Sequence, residues 1–373
     1  MLWSDNVSVI NCLLVCCILL WAFSGIVQLY FYLSYFLPLA RFREPSKTRK
    51  VRSVSLIIAA KNEAINLTKN LPLLLQQENI DFELIIVNDH STDRTREVLE
   101  ANKNNQLTVL DLNEGSGKKA AIKFAMSKAS HEQLVFTDAD CSPKSTLWLA
   151  EMAAGFSAEK QLILGHSCYY KSRGILNRLQ RFENLMVATQ YFSFAIKGKA
   201  YMGVGRNLAY TKSIFEKSNS FQTHEKLRSG DDDLLVNEMA NTTNVAIELN
   251  EIAHTISEAK KSWMDYFHQK RRQLQAGEQY KAEHKLLLAA MGIGTLLFNI
   301  LTLILLYFSE NWPVILMIFG LILVIKSIIL NIISKKLGEN DLIPWVGFFE
   351  FVLIINLTII GVSTWIWRVN RWK

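Results

Sequence analysis

Between Asn6 and Ala40 the chain carries no charged residue, a length well beyond the roughly 20 apolar residues that cross a bilayer. The segment opens beside Asp5 and ends in "FLPLARFR", without the basic start, short apolar core and small-residue cleavage site of a secretory signal. It reads as a retained membrane anchor over residues 1–40. Apolar sequence returns at Leu286–Ser309, at Pro313–Ser334 with Lys326 inside, and at Leu342–Trp367 with Glu350 inside. Three more crossings are expected in a membrane region over 285–373, and the two charges within them are expected to snorkel toward the interface. A functional intramembrane charge is the alternative. Composition agrees, because 373 residues that are half hydrophobic and only 20% charged are too oily for an ordinary soluble enzyme.

Basic residues beside spans stay on the cytoplasmic side. Arg41, Arg43, Lys47, Arg49 and Lys50 follow the first span in a linker over 41–52, which predicts a multi-pass cell-membrane protein whose middle faces the cytoplasm. "SENWP" then lies outside and "SKKLGEN" inside. Arg368, Arg371 and Lys373 break the rule at the far end; either the last segment does not cross fully or its tail anchors at the interface. The net charge of +7 largely flanks the membrane, which argues for anionic lipid headgroups as partners and not for nucleic acid. Cys12, Cys16 and Cys17 lie in the first span, and Cys141 and Cys168 lie far apart. No disulfide or zinc spacing results.

Residues 53–257 alternate between strand and helix patterns. "SVSLIIAA", "FELIIVND", "LTVLDL" and "QLVFTDA" read as strands. Helices are expected over "AINLTKNLPLLLQQ", over "STDRTREVLEAN" with Ser91 as its cap, and over "KKAAIKFAMSKA". That order makes an α/β domain with an open, mostly parallel, Rossmann-like sheet. Ligands of such sheets bind beyond the carboxyl ends of the strands. All four strands end in polar clusters: "AAKNE", "VNDHSTD", "DLNEGSGK" and "TDAD". Any one cluster is ordinarily a turn or cap, as Asp93 would be; four in succession point to a site. Asp138 and Asp140, at i and i+2 on a strand end, can hold a hard divalent cation that bridges a diphosphate.

Two competing phosphate sites are weaker. "GSGKKA" imitates a P-loop, but Leu112 stands where its first glycine belongs and Lys119 where Ser or Thr should bind magnesium. "DADCS" followed by "GDDD" resembles a haloacid-dehalogenase-type phosphatase, yet that nucleophile normally follows the first strand, and here three strands precede it.

The domain from about Ser53 to Gln273 resembles the family 2 glycosyltransferases, whose catalytic unit has the GT-A fold. The resemblance rests on four segments in the family's order: "SLIIAAKNEAINL", "LIIVNDHSTDRT" with Asn88 replacing a first acid, "FTDAD", and "SGDDDLL". It implies that Glu63 and Asp89 contact the nucleoside, that Lys118 helps to hold the nucleotide, and that Asp138 and Asp140 face the ribose, the diphosphate and a Mn2+ or Mg2+ ion. Asp140 would be the direct metal ligand. The catalytic base falls on Asp232, with Asp231 second; the plainer reading is that "DDD" caps a helix. "GVGRNLAY" adds Arg206 and Asn207 near the donor sugar and acceptor.

Residues 258–284 read as a basic interfacial helix with Trp263, Tyr266 and Phe267 clustered. Within it "QKRRQ" resembles the family's Gln-x-x-Arg-Trp motif and gives Gln269 and Arg272, although Gln273 replaces the tryptophan. That loss weakens the case for a processive polysaccharide synthase. The expectation is an inverting, metal-dependent enzyme that moves a sugar from a nucleotide-sugar donor, a UDP-sugar first, to a lipid or glycan acceptor. A polysaccharide synthase, a membrane phosphatase and a silent scaffold are the alternatives.

Overall fold

A computed structural model describes residues 2–45, 53–218 and 231–366. Lys47, Arg49, Lys50, Arg368, Arg371 and Lys373, on which the orientation argument leaned, lie outside the described residues. The chain enters through α1 (Leu2–Phe31), a π-helical turn (Tyr32–Phe36) and α2 (Leu37–Arg41). The change of register comes just before Pro38, whose missing N–H interrupts the helical ladder.

The next elements are β1 (Val54–Ala60), α3 (Ala64–Leu75), β2 (Phe82–Asn88), α4 (Thr95–Ala101), β3 (Leu107–Asp111), α5 (Lys118–Lys128) and β4 (Gln133–Phe136). They are followed by β5 (Cys141–Pro143), α6 (Trp148–Ala154), β6 (Leu162–Leu164), β7 (Ser167–Tyr169), α7 (Ile175–Ile196), β8 (Leu208–Thr211) and α8 (Lys212–Lys217). After residues 219–230 come α9 (Asp231–Met239), β9 (Val245–Ile247) and β10 (Thr255–Ser257).

The main sheet runs β3-β2-β1-β4-β8-β6-β9. β1 pairs parallel with β2 and β4, and β2 with β3, whereas β8 runs antiparallel to β4 and β6. β1 and β2 are buried on both faces, as their unbroken apolar runs require. A second sheet, β5-β10-β7, stands beside it and carries the chain directly after Asp140. The α/β architecture expected from the sequence is therefore present. Ser91 does not cap α4: its Oγ accepts the Asn62 N–H at 2.9 Å. Asp93 does the local work instead, accepting the N–H groups of Thr95 at 3.0 Å and Ala64 at 3.1 Å, and so tying the starts of α3 and α4 together.

The basic segment after β10 is not one helix. α10 (Trp263–Gly277), capped by Ser262, ends before α11 (Ala282–Phe308) begins. Tyr266 is buried, accepting from Asn356 and donating to Glu183, each at 2.8 Å, while Trp263 and Met264 are exposed. α12 (Trp312–Lys336) and α13 (Val346–Ile366) complete the chain. Among the described residues, four helical segments are long and apolar enough to cross a membrane.

Lys326 does not snorkel. It is 2% exposed, and its ammonium is held by Glu350, with Oε2 at 2.6 Å, and by Gln28 Oε1 at 2.7 Å. Three of the candidate membrane helices thus meet at one buried ion pair, because an unpaired charge in an apolar bundle is costly to desolvate. Lys326→Met should lower stability by roughly 3–5 kcal/mol, read as a lower thermal midpoint in detergent. The double change Lys326→Met with Glu350→Gln should recover part of it, since it leaves no lone charge behind.

The core of the α/β domain continues into the apolar helices. One cluster of buried side chains runs from Ile57, Leu134 and Phe182 to Phe36, Leu330 and Phe349. α7 lies between, with Phe182 stacked on Phe349 and Tyr35 against Phe194. Arg181, 2% exposed, donates from Nε to Glu339 at 2.8 Å and from Nη2 to Asp341 at 2.6 Å, and Lys171 reaches the same Asp341 at 2.9 Å.

Candidate active site

The carboxyl ends of β1, β2 and β4 open into a cleft of about 200 Å³ lined by Lys61, Glu63, Asp89, Lys118, Asp138, Asp140, Lys260, Gln269 and Arg272. Its geometry follows from how each loop leaves its strand. Asn62 and His90 take left-handed conformations, φ 56° and 52°, which side chains other than glycine adopt rarely and asparagine most readily. The two loops are laced together, with the Thr92 N–H donating to Asn62 Oδ1 at 2.8 Å and Asn62 N to Ser91. Asn88, in place of the expected acid, donates to Asp111 at 2.8 Å and so joins the ends of β2 and β3.

Asp89 is 1% exposed and works on both sides. Its Oδ2 accepts the Gly117 N–H at 2.9 Å and lies 3.8 Å from Lys61, and its Oδ1 meets His90 Nδ1 at 3.0 Å. Gly117, at φ 95°, lets that loop turn sharply into α5. The turn delivers Lys118, whose Nζ sits 2.7 Å from Asp138 Oδ1 and 3.7 Å from Asp232 Oδ2. One ammonium thus lies between the acid of the strand end and the acid of α9.

Asp140 has a different surrounding. Burial, with Asp138 and Glu63 adding like charge, raises its pKa against the opposing pull of Arg206. Asp138, Asp140 and Cys141 offer ligand atoms within 4.8 Å of one another. Two carboxylates with excess negative charge in a half-buried cleft are a donor set suited to a hard divalent cation. Mn2+ or Mg2+ therefore fits the residues present.

Asp232 is raised as well, by burial first, with Lys118 pulling it down. Gly205 explains how the carboxylate comes so close to backbone: a Cβ there would fall 1.7 Å from Asp232 Oδ2, and the Gly205 N–H hydrogen-bonds the same side chain. Gly205→Ala must push Asp232 aside, and turnover should drop about a hundredfold, the usual effect of a misplacement near 1 Å. Donor affinity, measured by calorimetry, should change little. Of the neighbouring acids, Asp233 accepts from Tyr280 Oη at 3.2 Å, outside the cleft, and the Asp231 side chain lies outside the described residues.

The remaining expected residues divide. Gln269 and Arg272 reach the cleft from α10, and Gln269 Oε1 is buried without a hydrogen-bond partner among the described residues. Arg206 lies behind Asp140, donating to Ser257 at 3.0 Å and Asn184 at 3.1 Å over the ring of Tyr169. Asn207, expected near the donor sugar and acceptor, does not line the cleft. It is 0% exposed, donates to the carbonyls of His166 at 2.7 Å and Ala253 at 2.8 Å, and accepts from Trp148 at 3.0 Å. All its polar atoms are engaged in holding the two sheets together. Lys61, Lys260 and Gly205 were not singled out from sequence; Lys61 was visible only as the cation inside "AAKNE".

Residues 55–218 match the family model described as glycosyl transferase family 2. The domain belongs to that family. The order of the motifs and their convergence on one cleft agree, and the phosphatase alternative loses its basis. Among curated proteins, the chain is 33% identical over 96 residues to a poly-beta-1,6-N-acetyl-D-glucosamine synthase of Staphylococcus epidermidis, covering 26% of the chain and 23% of that protein. The Staphylococcus aureus (strain COL) synthase of the same name is 27% identical over 115 residues, which is 30% of this chain and 28% of that one. The chain therefore spans only about a quarter of the curated relatives it matches. Among solved structures, a mannosyltransferase of Pyrobaculum calidifontis in complex with GDP-Man and Mn2+ superposes with a TM-score of 0.56 at 16% identity, covering 92% of this chain and 99% of that one. At that identity the likeness is one of fold.

Proposed function

We propose that this membrane protein is an inverting glycosyltransferase that moves one sugar from a nucleotide-sugar donor, a UDP-sugar first, to a lipid-linked or other membrane-proximal acceptor at the cytoplasmic face. The single observation that carries the reading is the cleft in which Lys118 stands between Asp138 and Asp232.

Glu63 and Asp89 line the part of the cleft beyond β1 and β2, suited to a nucleoside. Asp138 and Asp140 would hold Mn2+ or Mg2+, which when bound supplies positive charge to the leaving diphosphate. Lys118, Lys260 and Arg272 add cationic character to the same wall, and charge fixed in advance is the main way such a site stabilises a developing anion. Asp232 takes the proton of the acceptor hydroxyl; its raised pKa makes it a stronger base than an exposed carboxylate. Gln269 Oε1 is free to accept from a sugar or acceptor hydroxyl. Displacement by that hydroxyl from the face opposite the diphosphate inverts the anomeric carbon.

A membrane-proximal acceptor is supported by the packing of α10, which joins the cleft through Gln269 and Arg272 and the last membrane helix through Tyr266 and Asn356. The likeness to poly-beta-1,6-N-acetyl-D-glucosamine synthases favours a second reading, a processive synthase. The full chain in detergent, given UDP- and GDP-sugars with and without Mn2+ and a membrane lipid extract, tests both. Release of nucleoside diphosphate with a single-sugar mass increment on a lipid is expected; a ladder of products would favour the synthase. No consumption of any donor would remove the enzyme reading.

A further inference from the structure

Behind the catalytic cleft, the second sheet encloses His166, Cys168 and His254, at 1%, 4% and 0% exposure. Each offers a ligand atom within 4.8 Å of the other two. β7 and β10 bring them together, with Ile256 opposite Cys168 in parallel register and His254 immediately before β10. Nothing in the transfer reaction requires them.

The hydrogen bonding is specific. His254 Nε2 lies 3.1 Å from the Leu249 carbonyl, so that nitrogen carries the proton and Nδ1 carries the lone pair. Among the described residues, that Nδ1 is buried without a partner, and so is His166 Nε2. Two orphaned imidazole nitrogens beside one thiol leave unmet polar groups in a closed space, which is costly. A metal-bound histidine has this same arrangement, one nitrogen on the metal and the other donating to a carbonyl. The Cys168 Sγ reaches the Thr255 carbonyl at 3.4 Å, and the Lys144 ammonium lies within hydrogen-bonding reach of the same thiol. Lys144 also pairs with Glu251 at 3.0 Å, a carboxylate that can keep the ammonium once the sulfur is bound to a metal, and the Arg206 guanidinium is engaged with Ser257 and Asn184.

We propose that His166, Cys168 and His254 form a second metal site, taking Zn2+ and stapling β7 to the segment that leads into β10. Nitrogen and sulfur ligands select zinc over the magnesium or manganese that oxygen ligands prefer. The site is thus chemically distinct from the Asp138 and Asp140 pair. Binding replaces the Cys168 S–H bond by a sulfur–metal bond and releases the proton to solvent, leaving a thiolate and two neutral imidazoles on the ion. Because β10 also pairs with β5, whose first residue follows Asp140, the staple would stiffen the floor of the catalytic cleft.

The test uses the full chain purified in detergent without chelator. Elemental analysis should find about one zinc per chain, kept in Asp140→Ala and reduced at least about tenfold in Cys168→Ser and His254→Ala. Co2+ added to the metal-stripped parent should give a thiolate-to-cobalt charge-transfer band, a readout independent of how the variants fold. Zinc should raise the thermal midpoint of the parent. A parent chain that holds no zinc and gives no such band would overturn the proposal, as would zinc content unchanged in both variants. Either result leaves the glycosyltransferase reading standing, since that rests on donor consumption.

Discussion

Asp232→Asn is expected to bind a nucleotide sugar as tightly as the parent and to transfer it about 10²–10⁴ times more slowly, the range over which a positioned general base accelerates proton transfer. The amide keeps the shape and the Gly205 N–H contact but cannot accept a proton. Calorimetry for the donor alongside single-turnover transfer separates the two effects. The parent should also lose activity as pH falls through the Asp232 pKa. Burial raises that pKa, so the loss begins at higher pH than for an exposed aspartate. In Lys118→Met the ammonium that holds it down is gone, and the acid limb should move to still higher pH. Normal turnover in Asp232→Asn would show that another group takes the proton.

Asp140→Ala should fail one step earlier. Without it the cleft keeps Asp138, already bonded to Lys118, and loses the carboxylate whose pKa burial and the like charges of Asp138 and Glu63 raise. Mn2+-dependent donor binding should disappear, and transfer should fall by at least about a thousandfold, several kcal/mol of lost leaving-group stabilisation. Titration of the purified variant with a nucleotide sugar with and without Mn2+ decides the matter. Tight, metal-responsive binding would shift the metal role to Asp138 or Cys141.

The sheet and the acids at its edge were legible because each strand is an unbroken apolar run that stops at a polar cluster. Asp138 and Asp140 could be placed at the mouth of a cleft from spacing alone. What could not be read is whatever depends on distant partners. Lys326 finds Gln28 at a separation of 298 residues, so a charge that reads as snorkelling becomes a buried link between helices. The Cys168 cluster has no ligand spacing, because two strands assemble it from segments far apart in sequence. Asn207 fits a motif by position, but folding commits every one of its polar atoms beneath the cleft. α7 carried no usable periodicity because it is buried on most of its faces, between domain and membrane helices.

On the proposed reading, the clasp of Arg181 on Glu339 and Asp341 gives the enzyme a fixed altitude. A catalytic head joined by a flexible stalk could sweep a hemisphere and sample substrates at many depths, but here a buried guanidinium ties the head to the turn between α12 and α13. On that reading the cleft works within a thin slab parallel to the bilayer, and its acceptor presents the reacting hydroxyl at that height.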